Sequence, residues 1–204
     1  MFHIDRTMSQ GTREWLEWRG RVLGASDSPA VMGENPWKRR QYLLEEKLGQ
    51  RRSFSGNAAT REGHALEGPA RRLIEKELQV KLSPAIIQSI STPFIAASLD
   101  AICKDDEIIV EIKSGKKAYE YVSENDDVPP YNYAQLQHVL LITGFSHMYY
   151  ASYRPNEDLI LFEIARNDEY IEQLELELKK FAKELKQNGL VLQSKMIGKK
   201  ASCY

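Results

Sequence analysis

Phe94-Ile95-Ala96-Ala97-Ser98-Leu99-Asp100-Ala101-Ile102-Cys103, then the polar break Lys104-Asp105-Asp106, then Glu107-Ile108-Ile109-Val110-Glu111-Ile112-Lys113 is the stretch that decides the fold. Both apolar runs are rich in β-branched residues and alanine, and the acidic break between them is a turn, so the stretch predicts an antiparallel hairpin. A loop centred on Asp105-Asp106 sets Asp100 opposite Glu111 and Ser98 opposite Lys113. Alternation with period two then sends Ser98, Asp100, Glu111 and Lys113 to one face and Leu99, Ala101, Val110 and Ile112 to the other. Two carboxylates facing each other across a ladder repel, so the pair calls for a cation. Lys113 meets part of that need and a divalent metal meets it more fully. Carboxylates without imidazole or thiolate favour magnesium or manganese over zinc. An isolated Glu-x-Lys is more often the wet half of an amphipathic strand. Here Asp100 arrives in register from inside an apolar run, and helices on both sides imply burial of both sheet faces.

Outward from the hairpin, Ile86 to Ser91 precedes it as a third strand of a meander. Pro130 to Thr143 reads as a helix entered through prolines and closed by Gly144. Met148 to Tyr153 and Leu159 to Ala165 are two more strands, joined by the turn-like Arg154-Pro155-Asn156-Glu157. Asp168 to Lys186 is a charged helix with Tyr170, Leu174, Leu178, Phe181 and Leu185 on one side. Upstream, Arg13 to Arg19 and Arg39 to Leu48 read as helices. Between them Gly24-Ala25-Ser26-Asp27-Ser28-Pro29 is a turn with side-chain oxygens placed to cap the next helix. Gln50 to Asn57 is a basic loop, and Thr60 to Leu78 is a longer helix with Leu66, Ala70, Leu73, Ile74 and Leu78 on one side. The pattern predicts one α/β (α+β) domain over 1–204 with a central mixed sheet flanked by helices. Its core spans about 12–187, followed by a mobile C-terminal tail over 188–204.

Composition narrows the function. With 204 residues, 42% hydrophobic and 28% charged, the chain suits one sizeable core. Two cysteines (Cys103, Cys203) and four scattered histidines (His3, His64, His138, His147) exclude a disulfide framework, a thiolate zinc site and haem. No apolar run approaches the roughly 20 residues of a membrane span, and the N-terminus lacks a secretory layout, so a soluble cytoplasmic protein with no membrane partner is expected. The net charge of −1 means that any polyanion site is a local patch.

Asp100 followed by Val110-Glu111-Ile112-Lys113 resembles the PD-(D/E)XK nuclease signature. The surrounding motifs resemble the phage lambda exonuclease type, also described as YqaJ-like viral recombinases. The likeness runs through Trp15-Leu16-Glu17-Trp18-Arg19 with Gly24-Ala25-Ser26, then Gly63 to Glu67, Ser98-Leu99-Asp100, Glu111-Ile112-Lys113 and Tyr133-Ala134-Gln135-Leu136-Gln137. It departs at Ser98-Leu99, where proline would precede the aspartate. The resemblance implies a PD-(D/E)XK restriction-endonuclease-like core. It further implies that Asp100, Glu111 and the Ile112 carbonyl hold Mg2+ (with Mn2+ able to substitute), that Glu67 is a further ligand, and that Lys113 orients or helps deprotonate the attacking water. Gln137, and with less weight Gln135, would lie beside the metal site.

The same resemblance makes Arg19, Ser26 and Ser98 the pocket for a terminal 5′-phosphate, with Lys116 or Lys117 as a further basic residue. Without it, Ser26 is an N-cap and Arg19 a surface residue, although a Gly-Ala-Ser turn opening a helix and a two-pronged arginine both suit an anion. Arg51, Arg52 and Phe54 precede the Glu67 helix and could meet the opening duplex end, Phe54 as a wedge or equally as a core anchor. Trp15 and Trp18 are read as packing residues, and neither His64 nor His138 as a ligand. The basic pairs Lys38-Arg39-Arg40 and Arg71-Arg72 read as solvated faces. The implied activity is a Mg2+-dependent 5′→3′ exodeoxyribonuclease on linear double-stranded DNA with a free 5′-phosphorylated end, releasing mononucleotides and leaving 3′ overhangs. The implied partners are a homotrimeric ring of the same chain and a phage single-strand annealing protein. The alternatives are an endonuclease with the same metal site, or an inactive DNA-binding recombination module.

Overall fold

The computed structural model describes residues 1–52 and 56–197. The elements run β1 (Phe2–Asp5), α1 (Arg13–Arg19), β2 (Leu23–Gly24), a 3-10 turn (Ala25–Asp27), α2 (Ser28–Val31), α3 (Arg40–Lys47) and α4 (Ala58–Leu78). They continue through β3 (Ser83–Ser89), β4 (Ile95–Cys103), β5 (Ile108–Lys113), α5 (Lys116–Asn125), α6 (Pro130–Thr143), β6 (His147–Ser152), β7 (Ile160–Ala165) and α7 (Asp168–Gln187). The described residues form a seven-stranded mixed sheet ordered β1-β3-β4-β5-β6-β7, with short β2 parallel to β4. Only β2–β4 and β5–β6 are parallel; the latter pair is joined through α5 and α6, as a parallel connection requires.

The hairpin forms in the predicted register: Ala101 faces Val110, Ile102 faces Ile109 and Cys103 faces Ile108. Glu107 closes the turn in the left-handed backbone region, at φ 54°, with its N–H on the Lys104 carbonyl. Proline sits at the start of α6, and Gly144 (φ 74°) ends it with its N–H on the Leu140 carbonyl. Asn167 caps α7 by accepting from the Tyr170 N–H, and Leu174, Leu178, Phe181 and Leu185 are buried along one face. Each such side chain contributes about 1.5–3 kcal/mol by leaving water.

Helices cover both sheet faces. Leu136, Val139 and Leu140 of α6 and the α7 stripe share a cluster with Leu99, Ile102 and Ile109. Ala70 and Ile74 of α4 pack instead with Ala101, Val110, Ile112 and Ala151. Trp15 and Trp18 of α1 close a third cluster with Val22, Ile86 and Ala96.

The fold extends past both ends of the predicted core. β1 pairs antiparallel with β3, from Phe2↔Ser89 to Asp5↔Ile86. The tail expected to be mobile is packed as far as it is described. Leu192 and Ile197 are buried, the Gln193 N–H donates to the Arg21 carbonyl at 2.8 Å, and the Ile197 N–H donates to Gln88 Oε1 at 2.8 Å. The His3 ring meets the Ile197 carbonyl at 2.9 Å.

Candidate active site

The site starts from a proline. Pro84 lies within β3 and has no N–H to give β4. The β3–β4 pairing shifts there, from Ser83↔Ile102 to Ala85↔Leu99, so that Asp100 and Ala101 of β4 oppose the single residue Pro84. Such a bulge turns a side chain out of simple alternation. This corrects the predicted faces: Leu99 packs with Ile102 and Ile109, whereas Ala101 packs with Val110 and Ile112. Asp100 sits in the bulge, and its Oδ2 accepts the Ile112 N–H at 2.9 Å, beyond the last ladder pair Ala101↔Val110. Burial, then the charges of Glu111 and Glu67, push the Asp100 carboxyl well above the usual range, against Lys113 and the Ile112 N–H.

Glu111, 5% exposed, lies beside Tyr150 of β6. Its Oε1 accepts from Lys113 Nζ and from Gln135 Nε2, both at 2.6 Å, and Lys113 reaches Gln135 Oε1 at 3.3 Å. Burial works against the Lys113 ammonium, but Glu111 and Asp100 outweigh it and raise its pKa above the ordinary value. Gln135 is therefore the α6 residue that touches the site. Gln137, two residues on, is turned about 200° around the helix. It is fully buried, with its Nε2 on the Ala165 carbonyl at 2.9 Å and its Oε1 accepting from the Asn167 N–H at 3.0 Å. That clamp of the β7–α7 junction uses both ends of the amide, so the placement of Gln137 beside the metal site is corrected to Gln135.

Glu67 approaches from α4, on the helix face that carries Ala70, Arg71 and Ile74. Leu73, expected on the buried side, is 40% exposed. Arg71 Nε donates to the Asp100 carbonyl at 3.0 Å, so it braces the bulge instead of facing solvent. His64, one turn before Glu67, meets Glu67 Oε1 at 2.7 Å. Neither role was visible in the sequence, although both residues lie at i−3 or i+4 from Glu67.

The side-chain donors are all carboxylate oxygens, and after burial it is the neighbouring charges of Glu111 and Glu67 that raise the Asp100 pKa, so the residues fit a hard divalent cation. In this arrangement Glu111 is held by Lys113 and Gln135 and Glu67 by His64. No group of three acidic, imidazole or thiol side chains among the described residues closes on one point.

A second constellation adjoins the first. Arg19 Nη2 donates to Ser26 Oγ at 2.8 Å, and its guanidinium lies 4.9 Å from the centre of the Trp15 ring. Trp15 Nε1 donates to Ser98 Oγ at 2.9 Å, so Trp15 joins Arg19 and Ser26 to Ser98 and is more than packing. Beneath them lies a buried ion pair that the sequence did not signal. Lys47 Nζ meets Asp27 Oδ2 at 2.8 Å and donates to the Arg19 and Val22 carbonyls at 3.0 and 2.8 Å. Burial alone would raise the Asp27 carboxyl, but Lys47 and Arg19 hold it below its ordinary value. Asp27 Oδ2 also accepts the Gly24 N–H at 3.0 Å, so the acid caps its own turn. A cleft of about 450 Å³ is lined by Trp15 and Gln10 on one side and by His64, Glu67 and Arg71 on the other.

The remaining basic candidates make no contact with either group among the described residues. Lys116 and Lys117 are exposed in the first turn of α5, Lys116 within 3.5 Å of Glu120. Arg51 pairs with Glu45 at 2.9 Å and lies over the Tyr42 ring, Arg52 is exposed, and Phe54 lies outside the described residues. His138 is buried. Its Nε2 contacts the Ala96 carbonyl, which only accepts, so Nδ1 accepts from the Ser28 hydroxyl and the ring is a neutral spacer, with burial pulling its pKa to about 4.

Comparison with known proteins places the chain in a family. The model of the YqaJ-like viral recombinase domain matches residues 14–146. An uncharacterized protein YqaJ of Bacillus subtilis (strain 168) is 29% identical over 171 residues, 79% of this chain and 52% of that protein, so the chain spans about half the length of this curated relative. Among solved structures, an alkaline exonuclease (LHK-Exo) from Laribacter hongkongensis superposes with TM-score 0.76 at 25% identity, over 86% of this chain and 93% of that one. The same enzyme in complex with dAMP gives 0.77 over the same shares, again at 25% identity. A phage related exonuclease from Haemophilus somnus 129PT shares the fold at TM-score 0.60 and 13% identity, over 81% and 94% of the two chains. The domain match covers Arg19, Glu67, Asp100, Glu111, Lys113 and Gln135 in one span, and the chain belongs to the YqaJ-like viral recombinase domain family.

Proposed function

We propose that this chain is a Mg2+-dependent 5′→3′ exodeoxyribonuclease that degrades the 5′-ended strand of linear double-stranded DNA to mononucleotides and leaves 3′ overhangs. The observation that carries this reading is the adjacency of a carboxylate–lysine cluster and an arginine–serine pair: Trp15 stacks on Arg19 and bonds Ser98, two residues before Asp100, and Trp15 and Glu67 line one cleft. The likeness to alkaline exonucleases supports a nuclease, and the dAMP bound to LHK-Exo supports a nucleotide as product.

Glu67, Asp100, Glu111 and the Ile112 carbonyl would hold Mg2+, with Mn2+ able to replace it. When bound, it lowers the pKa of water and neutralises charge on the phosphate and the leaving oxygen. Lys113 stays an ammonium against its two carboxylates, so it orients the attacking water and donates to the phosphate. Gln135 holds Glu111 and Lys113 in one geometry. Arg19, Ser26 and Ser98 take the terminal 5′-phosphate, and Trp15 fixes both the guanidinium and the Ser98 hydroxyl. Water adds to the next phosphorus, the P–O3′ bond breaks, and the 3′ oxygen leaves with a proton. The shortened strand again ends in a 5′-phosphate, ready for the same pocket. A homotrimeric ring and a single-strand annealing partner rest on the family resemblance alone, and sedimentation tests the first.

Substitution tests the assignment. Asp100→Asn and Lys113→Met should each lower turnover by 100-fold or more while the fold survives, and normal turnover in either variant refutes it.

A further inference from the structure

Trp37 stands out on the surface: it is 71% exposed, whereas Trp15 and Trp18 are buried. A large aromatic ring left in water is unfavourable unless something covers it in use. Its position is fixed rather than loose. Asn35 Oδ1 accepts the N–H groups of Trp37 and Lys38, both at 2.9 Å, and the indole meets the Tyr131 ring edge-on at 4.8 Å and 71°.

Tyr131 ties this ledge to the candidate active site. It lies on α6 one turn before Gln135, so the two side chains share a face, and Gln135 contacts both Glu111 and Lys113. The Tyr131 hydroxyl also feels the charge of Lys113. Next in the chain, Lys38, paired with Glu46, lies 5.8 Å from the centre of the Tyr42 ring, and Arg51, paired with Glu45, lies 4.5 Å from the same ring. Aromatic faces interleaved with cations are the surface on which successive bases of a single strand stack. A base inside a duplex is already stacked on both faces, so the ledge can serve only a base at the duplex end or one freed from its partner, and a base freed from its partner offers both faces.

We propose that Trp37, braced by Tyr131, is a stacking platform for an unpaired nucleobase of the DNA strand whose backbone lies at Glu111 and Lys113. The proposal rests on the nuclease reading above and adds a base contact to it.

The test is equilibrium binding of the full-length protein, in Ca2+ to prevent turnover, to a fluorescein-labelled duplex with a frayed, 5′-phosphorylated end. Trp37→Ala should weaken binding roughly tenfold, the equivalent of about 1.4 kcal/mol of stacking, and Trp37→Phe should recover most of it. A series of single abasic substitutions along the frayed strand should contain one position at which wild type binds as weakly as Trp37→Ala and the variant loses nothing further. Equal affinity of wild type and Trp37→Ala, or an abasic series with no such position, overturns the platform while leaving the nuclease reading intact. A Trp37→Ala defect that is insensitive to every abasic site and accompanied by a changed sedimentation coefficient assigns the ledge to contact between copies of the chain. Failure of the wild type to bind the duplex at all overturns both readings.

Discussion

Lys47→Met isolates the scaffold beneath Arg19 and Ser26. The lysine makes three short contacts, 2.8 Å to Asp27 and 3.0 and 2.8 Å to the Arg19 and Val22 carbonyls, and both its side chain and that of Asp27 are only 7% exposed. Removing it strands a buried carboxylate and two carbonyls. Breaking a buried pair from one side costs about 3–5 kcal/mol, most of it the uncompensated charge. Asp27→Asn in the same background removes that charge, so the double variant should recover at least about 1 kcal/mol of the loss.

The pH dependence has a definite sign. In the wild type the Asp27 carboxyl is held below 3.8, so its contribution is present above that pH and fades as pH falls through the depressed folded value. In Lys47→Met burial meets less opposition and the Asp27 carboxyl rises, so the penalty should grow as pH climbs from 4 to 8. Urea unfolding at several pH values reads both quantities. A loss under about 1 kcal/mol at pH 7, or strict additivity of the two substitutions, refutes the claim that this pair supports the pocket.

Three further outcomes follow from the same geometry. Gln135→Leu should cut nuclease turnover at least tenfold with little change in unfolding midpoint, whereas Gln137→Leu should lower stability by about 2 kcal/mol, since it leaves the Ala165 carbonyl and the Asn167 N–H unpaired; the reverse pattern would restore Gln137 to the site. His138 is neutral in the fold, with its pKa lowered from 6.5 to about 4, so protonation favours the unfolded chain between those values. Stability should fall by about 3 kcal/mol as pH drops through that window, and His138→Gln should flatten the slope in a denaturation series. Arg19→Ala should erase any preference for a 5′-phosphate over a 5′-hydroxyl end, while Arg13→Ala, on an exposed helix position paired only with Glu17, should not.

The hairpin and α7 were legible because a strong hydrophobic period agreed with turn or cap residues there, and α6 because prolines open it and Gly144 closes it. β1 was not: Phe2–Asp5 is four residues long, and its pairing with β3 is a tertiary fact. Nor was α5, whose first turn carries Lys116 and Lys117 against the helix dipole. Alternation failed at Leu99 because it assumes an unbroken ladder, and the warning sign was Pro84, which the sequence reading left outside the strand. Asp100, Glu111 and Lys113 were found from that same register. The choice between Gln135 and Gln137 needed the helix's rotation about its axis, which its nearly all-round burial hides. Lys47 and Arg71 were beyond reach, since each acts through partners distant in sequence, whereas the spacing of His64 from Glu67 was the one available signal.

The most direct test of the central claim is digestion of linear duplex DNA labelled on one strand, bearing either a 5′-phosphate or a 5′-hydroxyl, with and without magnesium, beside a covalently closed circle. The account predicts magnesium-dependent release of mononucleotides from the 5′-phosphorylated strand, slower release from the hydroxyl end and an intact circle. Cutting of the circle, or equal release from both ends, would contradict it.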